Sequence, residues 1–314
     1  MQKLKLLSLA IGIGLFIGCN TSAEQSSSET TEIPEAKYSL AQWSFNRDLF
    51  AGDMSTIDFV YAAGEMGFDG VEYVNQFFID KAEDFEFLDS LNAAAEEAGV
   101  KNLMIQLDRT GNLCASDETE RNKAVETAMK WIDAAKYINA PAVRVNAHGD
   151  GSAEEMKTQC MDGIGKLAEY ANTQGVQVLI ENHGGVSSRG DWLADLVGSL
   201  SDKEVGSLAD FHNWCYETVD GGLWGECLNE YDYYKGFAEL IPSAKGVSVK
   251  AMHFDSTGNE PNLNFPKFFT IMKEGGYDGF LGVEYEGNDL PSREGILKTK
   301  ELAAKTWEAV YSAK

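Results

Sequence analysis

Positive charge is scarce in this chain. Its 26 Lys and Arg stand against 50 Asp and Glu, and the formal net charge of -24 repels a polyphosphate. Nucleic acid is therefore not expected as a partner. No strand-like run is followed by a G-x-G-x-x-G turn, which sets a dinucleotide-binding open sheet behind other α/β folds. Five cysteines occur without any C-x-x-C spacing, so no zinc-type cysteine pair is expected. A Gly-rich phosphate loop is also missing, which speaks against phosphorylated substrates. The apolar run at the N-terminus, Leu6 to Ile17, falls short of the ~20 residues a helix needs to span a bilayer.

What that run does have is the order of an export signal. "MQKLKLLSLAIGIGLFIGCN" places Lys3 and Lys5 before the apolar stretch and small Gly18 before Cys19. The ending "FIGC" resembles a bacterial lipobox. Residues 1–18 are thus expected to be a lipoprotein signal peptide, with Cys19 as the lipidated first residue of an exported protein anchored in the cell envelope, periplasmic or on the outer membrane. Its membrane contact would be through that lipid only. Residues 19–37, polar and acidic, read as a disordered tether. The remaining cysteines are 114, 160, 215 and 227, which pair in three possible ways. An exported location permits bridges, and Cys215 with Cys227, in "CYETVDGGLWGEC", is the first choice.

From residue 38 to 314, β-rich runs alternate with amphipathic helical runs. The strand candidates are "YSLAQWSF", "FDGVEYV", "VKNLMIQL", "PAVRVNA", "VQVLIEN", "VGSLADF", "GVSVKAM" and "GFLGVEYE". Eight β-then-α units over roughly 275 residues match a single (β/α)8 TIM barrel, whose usual size is about 250. In such a barrel the side chains of each strand alternate between the helix layer and the interior, and active sites sit at the strands' C-terminal ends. With the apolar set facing the helices, the opposite set ends in Glu72, Gln106 and Asp108, Arg144 and Asn146, Glu181, Asp210, Lys250, and Glu284. Seven strands share one parity and one end, which points to a functional mouth. A buried Glu181 costs several kcal/mol unless it is paired or bound to a cation. Several carboxylates with a nearby imidazole make an oxygen-rich site suited to Mg²⁺, Mn²⁺, Co²⁺ or Zn²⁺.

"VLIENHGG", "DFHNW" and "GVEYEG", in that order, resemble the sugar phosphate isomerase/epimerase family with the xylose isomerase-like TIM barrel. The likeness runs over residues 38–312 and includes "GVEYVNQFF", "WIDAAK" and "VRVNAHG". It implies one divalent metal ion held by Glu181, Asp210, a third ligand and Glu284. Many relatives carry that third ligand as the His of an HxK pattern on strand seven, where this chain has Ser248, Val249, Lys250. His253 is the candidate replacement, with Asp255 as the alternative. The implied reaction is isomerisation or epimerisation of a sugar by proton abstraction next to a carbonyl, with Glu181 and Glu284 as base and acid.

A small-molecule sugar or keto-sugar would then meet Trp43, Glu72, Arg144, Asn146, His183, His212, Asn213 and Lys250, with Phe77 and Trp224 as apolar walls. Two other readings stay open. One is a lyase or hydratase acting on 3-keto-glycosides by the same chemistry; the other is a non-catalytic carbohydrate-binding lipoprotein, which the Ser248 position favours. Class II AP endonucleases share the barrel, but four His and a charge of -24 do not suit their His-rich zinc site.

Overall fold

The computed structural model describes residues 33–313. Cys19, the expected leader and most of the expected tether lie outside the described residues. Among the described residues ten strands form: β1 (Lys37–Ala41), β2 (Gly70–Val74), β3 (Lys101–Leu107), β4 (Ala142–Asn146), β5 (Gln177–Glu181), β6 (Gly206–Asp210), β7 (Cys215–Thr218), β8 (Cys227–Glu230), β9 (Ala244–Ala251) and β10 (Phe280–Tyr285). Eight of them close a parallel barrel in the order β1-β10-β9-β6-β5-β4-β3-β2, while β7 and β8 pair antiparallel as a separate hairpin. The single (β/α)8 barrel expected from the repeat pattern is the fold. Among the described residues no helix is long and apolar enough to cross a membrane.

The helices are α1 (Asn46–Ala51), α2 (Thr56–Glu65), α3 (Phe85–Ala98), α4 (Glu118–Tyr137), α5 (Ala153–Gln174), α6 (Gly190–Ser199), α7 (Tyr233–Leu240), α8 (Phe265–Glu274) and α9 (Ser292–Ser312). Their ends are written locally. Ser152 opens α5 with a capping box, its hydroxyl accepting from the Glu155 amide while the Glu155 side chain takes the Ser152 amide. Gly175 closes α5 at φ +73°, a left-handed turn that glycine adopts without a Cβ clash, and the chain passes straight into β5. Such caps fix where each strand begins and hence which residue reaches its C-terminal end.

Along β5 the parity is clean. Val178 and Ile180 join the large apolar layer shared with the helices, whereas Leu179 packs with Met104 and Leu208 inside the barrel. That small interior cluster is a dry floor. Above it the inward positions turn polar. Glu72 also points inward, where the Ser39 hydroxyl donates to it at 2.5 Å, and Gly282 of β10 leaves room for it: a Cβ there would lie 2.8 Å from the Glu72 carboxylate.

Three local features differ from the sequence reading. "YSLAQWSF" is a strand only to Ala41, because Gln42 turns inward, accepts from the Val74 amide at 2.8 Å and donates to Thr56 at 3.0 Å. The ordered body starts before Tyr38, since the Trp307 indole of α9 donates to the Pro34 carbonyl at 2.8 Å. The segment between β6 and α7 carries the β7–β8 hairpin, closed by a Cys215–Cys227 bridge; a second bridge, Cys114–Cys160, ties the loop after β3 to α5. The first pairing was the sequence's first choice. The second spans 46 residues, and the chain-entropy account gives a loop of that length about 4 kcal/mol. Replacing Cys114 and Cys160 together with Ser should therefore lower the guanidinium midpoint clearly, whereas the same change at the 12-residue Cys215–Cys227 loop should cost less. An unchanged midpoint in the Cys114/Cys160 variant would remove that bridge from the account of stability.

Candidate active site

The C-terminal ends of β3, β4, β5, β9 and β10 open into one cavity of about 460 Å³. Its lining includes Gln106, Asp108, Arg144, Asn146, Glu181, Lys250 and Glu284, each placed there by the strand parity read from the sequence. Two buried cations organise it. Arg144 sets Nε 2.8 Å from Glu181 Oε2, donates from Nη1 to Asp108 at 2.5 Å and to Asn146 at 3.2 Å, and from Nη2 to Gln106 at 2.5 Å. Lys250 Nζ stands 3.2 Å from Asp210 Oδ2, 3.4 Å from Glu284 Oε2 and 3.0 Å from Glu286 Oε1.

Neutral groups hold the carboxylates in place. The Ser248 hydroxyl donates to Glu284 Oε2 at 2.8 Å, and the Asn213 amide donates to Glu181 Oε1 at 3.2 Å. Asp210 Oδ1 accepts from the backbone N–H groups of His212 and Asn213 at 2.7 and 2.9 Å, while Asn182 of the loop after β5 accepts from the Asp210 amide at 2.8 Å. This explains the break at "ENHGG": Asn182 stitches the end of β5 to the end of β6.

The aromatic wall comes from the hairpin. Its tip carries Leu223 and Trp224 into the cavity lining, and Trp224 meets the His183 ring edge-on at 4.7 Å. His183 stacks on His148 at 5.8 Å, and His148 Nε2 donates to the His183 carbonyl at 2.6 Å, which puts the proton of that imidazole on Nε2. Across the mouth Trp43 lines the cavity and packs against Phe77 and Phe50 at 5.8 and 5.9 Å.

Several residues expected at the site lie elsewhere. His253 is about half exposed and bonds Asp289 through Nδ1 at 2.6 Å, because the loop after β9 turns outward past Ala251. Asp255 caps its own loop, accepting from the Thr257 and Asn259 amides at 2.8 and 3.0 Å. The ring of His212 faces Tyr233 in a separate surface depression, so its backbone amide on Asp210 is its link to the site. Glu72 lies inside the barrel but does not border the cavity, and Phe77 backs Trp43 rather than lining it. Glu286 and His148 were not singled out from the sequence, although each follows an inward residue, Glu284 or Asn146, by two positions and so shares its parity.

Burial in a site with more carboxylates than cations shifts the titrations. Burial pushes the Glu181 carboxyl up to about 8 against the pull of Arg144, with Asp210 adding to the rise. Burial also pushes Glu284 up to about 7, opposed by Lys250 and helped by Glu286. For Asp108 burial is outweighed by Arg144, which holds it down at about 2. For Lys250 burial is outweighed by Asp210, Glu284 and Glu286, which keep its ammonium well above the usual lysine range. His183 falls well below the ordinary imidazole value because it is buried beside Arg144.

These side chains do not fit the divalent ion that the resemblance implies. A hard cation needs several oxygen donors turned to one point, and among the described residues no group of three His, Cys, Asp or Glu is arranged to hold one. The Lys250 ammonium stands between Asp210 and Glu284, and the Ser248 hydroxyl donates to Glu284 rather than facing an ion.

A model of the family described as xylose isomerase-like TIM barrel matches residues 60–305. The chain belongs to that family. Solved structures sharing the fold include the 3-keto-D-glucoside 4-epimerase of E. coli, at 14% identity and TM-score 0.64, covering 86% of this chain and 100% of that one. The IOLI protein, solved with a zinc atom, aligns at 14% identity and TM-score 0.67 over 87% of this chain and 99% of its own. A xylose isomerase-like barrel from Mycobacterium smegmatis, solved with magnesium, gives 14% and 0.62 over 88% and 98%. Metal-holding and sugar-epimerising barrels thus both occur among structures of this fold. A search of curated protein sequences finds no match.

The raised carboxyls have a consequence for stability. Glu181 and Glu284 keep protons in the folded barrel at pH values where the unfolded chain, with carboxyls near 4.5, has lost them. At these two groups the folded state binds more protons, so their contribution to stability falls as pH rises from about 4.5 toward 8, while His183 and His148, held below the ordinary imidazole value by burial, contribute with the opposite sign up to that value. Glu181→Gln, which cannot ionise, should flatten that decline and be more stable than the parent at alkaline pH by on the order of 1 kcal/mol. Thermal melts of parent and variant across this range check it, and a parent whose stability relative to Glu181→Gln does not fall between the two limits would contradict it.

Proposed function

We propose that this family member is an isomerase or epimerase of non-phosphorylated sugars that moves a proton at the carbon next to a carbonyl. The observation that carries this reading is the pair of buried carboxyls, Glu181 and Glu284, bordering one cavity with affinities for protons shifted up to about 8 and 7. Groups that titrate near neutral pH are suited to both taking and returning a proton. One carboxylate removes the α-proton, leaving the electron pair in an enolate. The other carboxyl, protonated beforehand, gives its proton to the same carbon on the opposite face, which epimerises; for isomerisation it gives it to the former carbonyl carbon, while the proton of the hydroxyl on the α-carbon passes to the former carbonyl oxygen and the new carbonyl stands at the α-carbon. Asn146, Asn213 and Arg144 border the space where sugar hydroxyls would lie, and Trp43 and Trp224 offer faces to the sugar's C–H groups. The metal dependence expected from the resemblance is not carried into this reading, because the donor set does not fit an ion.

A second reading, elimination or hydration of a 3-keto-glycoside through the same enolate, is favoured by the aromatic rim. Phe50, 64% exposed, extends the Trp43 and Phe77 surface beyond the cavity, where a second ring or an aglycone would rest. Incubating the protein with free aldoses and ketoses and with 3-keto-glycosides in D₂O separates the two: the first gives a deuterated epimer or isomer, the second a cleaved or hydrated product. Glu181→Gln and Glu284→Gln should each slow exchange at least about 10²-fold. Full exchange in both variants would show that neither carboxyl moves the proton.

We further propose that the protein is exported and lipid-anchored at Cys19. The sequence order ending in "FIGC" motivates it, and the two disulfides support an oxidising compartment. Cys19→Ala should yield unprocessed or soluble protein in place of a membrane-fraction form. A variant that remains processed and membrane-bound would overturn the anchor.

A further inference from the structure

We propose that this barrel works without a divalent ion and that the Lys250 ammonium supplies the positive charge at the reacting oxygen. Four observations carry it. Lys250 lines the cavity from the inward face of β9. Its Nζ is shared by carboxylates from β6, the end of β10 and the residue just beyond, at 3.0–3.4 Å, the place and company expected of a bound cation.

Ser248, two positions earlier on the same face, presents a hydrogen to Glu284 and no basic nitrogen. The imidazoles nearest in sequence are turned away, His253 onto Asp289 and His212 toward Tyr233. An ammonium with three N–H groups is a competent partner for a developing enolate oxygen, and a preorganised one costs no reorganisation during the reaction.

The role rests on the proton-transfer reading above. A substrate carbonyl oxygen within reach of Lys250 Nζ would accept its hydrogen bond. When a carboxylate takes the α-proton, the C–H pair becomes the C=C bond and the carbonyl π-pair moves to that oxygen. The charge is held by N⁺–H until a proton returns to carbon, and no other reactant is needed.

The full chain, purified without chelators, should hold far less than about one metal ion per chain by elemental analysis. Its thermal midpoint should not move with Mn²⁺, Mg²⁺, Co²⁺ or Zn²⁺, or with EDTA. A tightly held stoichiometric ion whose removal lowers the midpoint would overturn the proposal. The double variant Ser248→His/Lys250→Met removes the ammonium and supplies an imidazole, and should acquire a Zn²⁺-dependent rise in midpoint. If that variant is folded by circular dichroism and still indifferent to metal, Lys250 is not what stands in the ion's place.

In the exchange assay, EDTA-treated parent should retain full turnover. Lys250→Met should lose at least about tenfold and Lys250→Arg should keep part of it. Exchange abolished by EDTA, or unaltered in Lys250→Met, would contradict the proposal. Failure to see exchange with any sugar would sink the proton-transfer reading, while the metal titration still decides whether Lys250 stands in for an ion.

Discussion

Two buried cations serve five carboxylates inside the barrel mouth. Arg144 takes Asp108 and Glu181; Lys250 takes Asp210, Glu284 and Glu286. In a buried setting an unneutralised carboxylate is costly, and a group in that position binds a proton rather than remain charged. The division is uneven: Asp108, beside the Arg144 fork, is held down at about 2, while Glu181 and Glu284 are pushed up to about 8 and 7. A static imbalance of charge therefore becomes two groups able to exchange protons close to neutral pH.

The barrel is what enforces that imbalance. Parallel strands in register bring Asn146 beside Glu181 and Lys250 beside Glu284, so neighbouring chains share one polar layer. Beneath it the Met104, Leu179 and Leu208 cluster keeps water out of the floor. Above it the disulfide-closed hairpin brings Trp224 over His183. Apolar walls on both sides keep the local dielectric low, which strengthens every charge contact between them.

Much of this was legible in the sequence because it depends on period two. Glu181, Arg144, Lys250 and Glu284 follow from strand alternation alone, while the number of units and the closure into a barrel follow from the count of strand runs alternating with helical runs. Alternation ends where the strand ends. His253 lies past Ala251, in a loop whose direction is set by tertiary contacts such as that with Asp289, and strand parity says nothing about it. The ring of His212 is the reverse case: it follows Asp210 by two, yet the chain turns there to point backbone amides at Asp210 and sends the ring outward. Glu286 and His148 were within reach of the parity argument, had it been extended by one more inward position. The Cys114–Cys160 bridge was not, since a contact spanning 46 residues leaves no local pattern.

The central claim is that protons and two side-chain cations, rather than an added ion, neutralise the mouth. Infrared difference spectroscopy of the metal-stripped protein tests it most directly, by following the carbonyl stretch of protonated carboxyls. The account predicts a protonated-carboxyl band that survives to neutral pH, weakens in Glu181→Gln or Glu284→Gln, and vanishes in the double variant. A spectrum in which every carboxyl is ionised well below neutral pH, in the parent as in the variants, would contradict it.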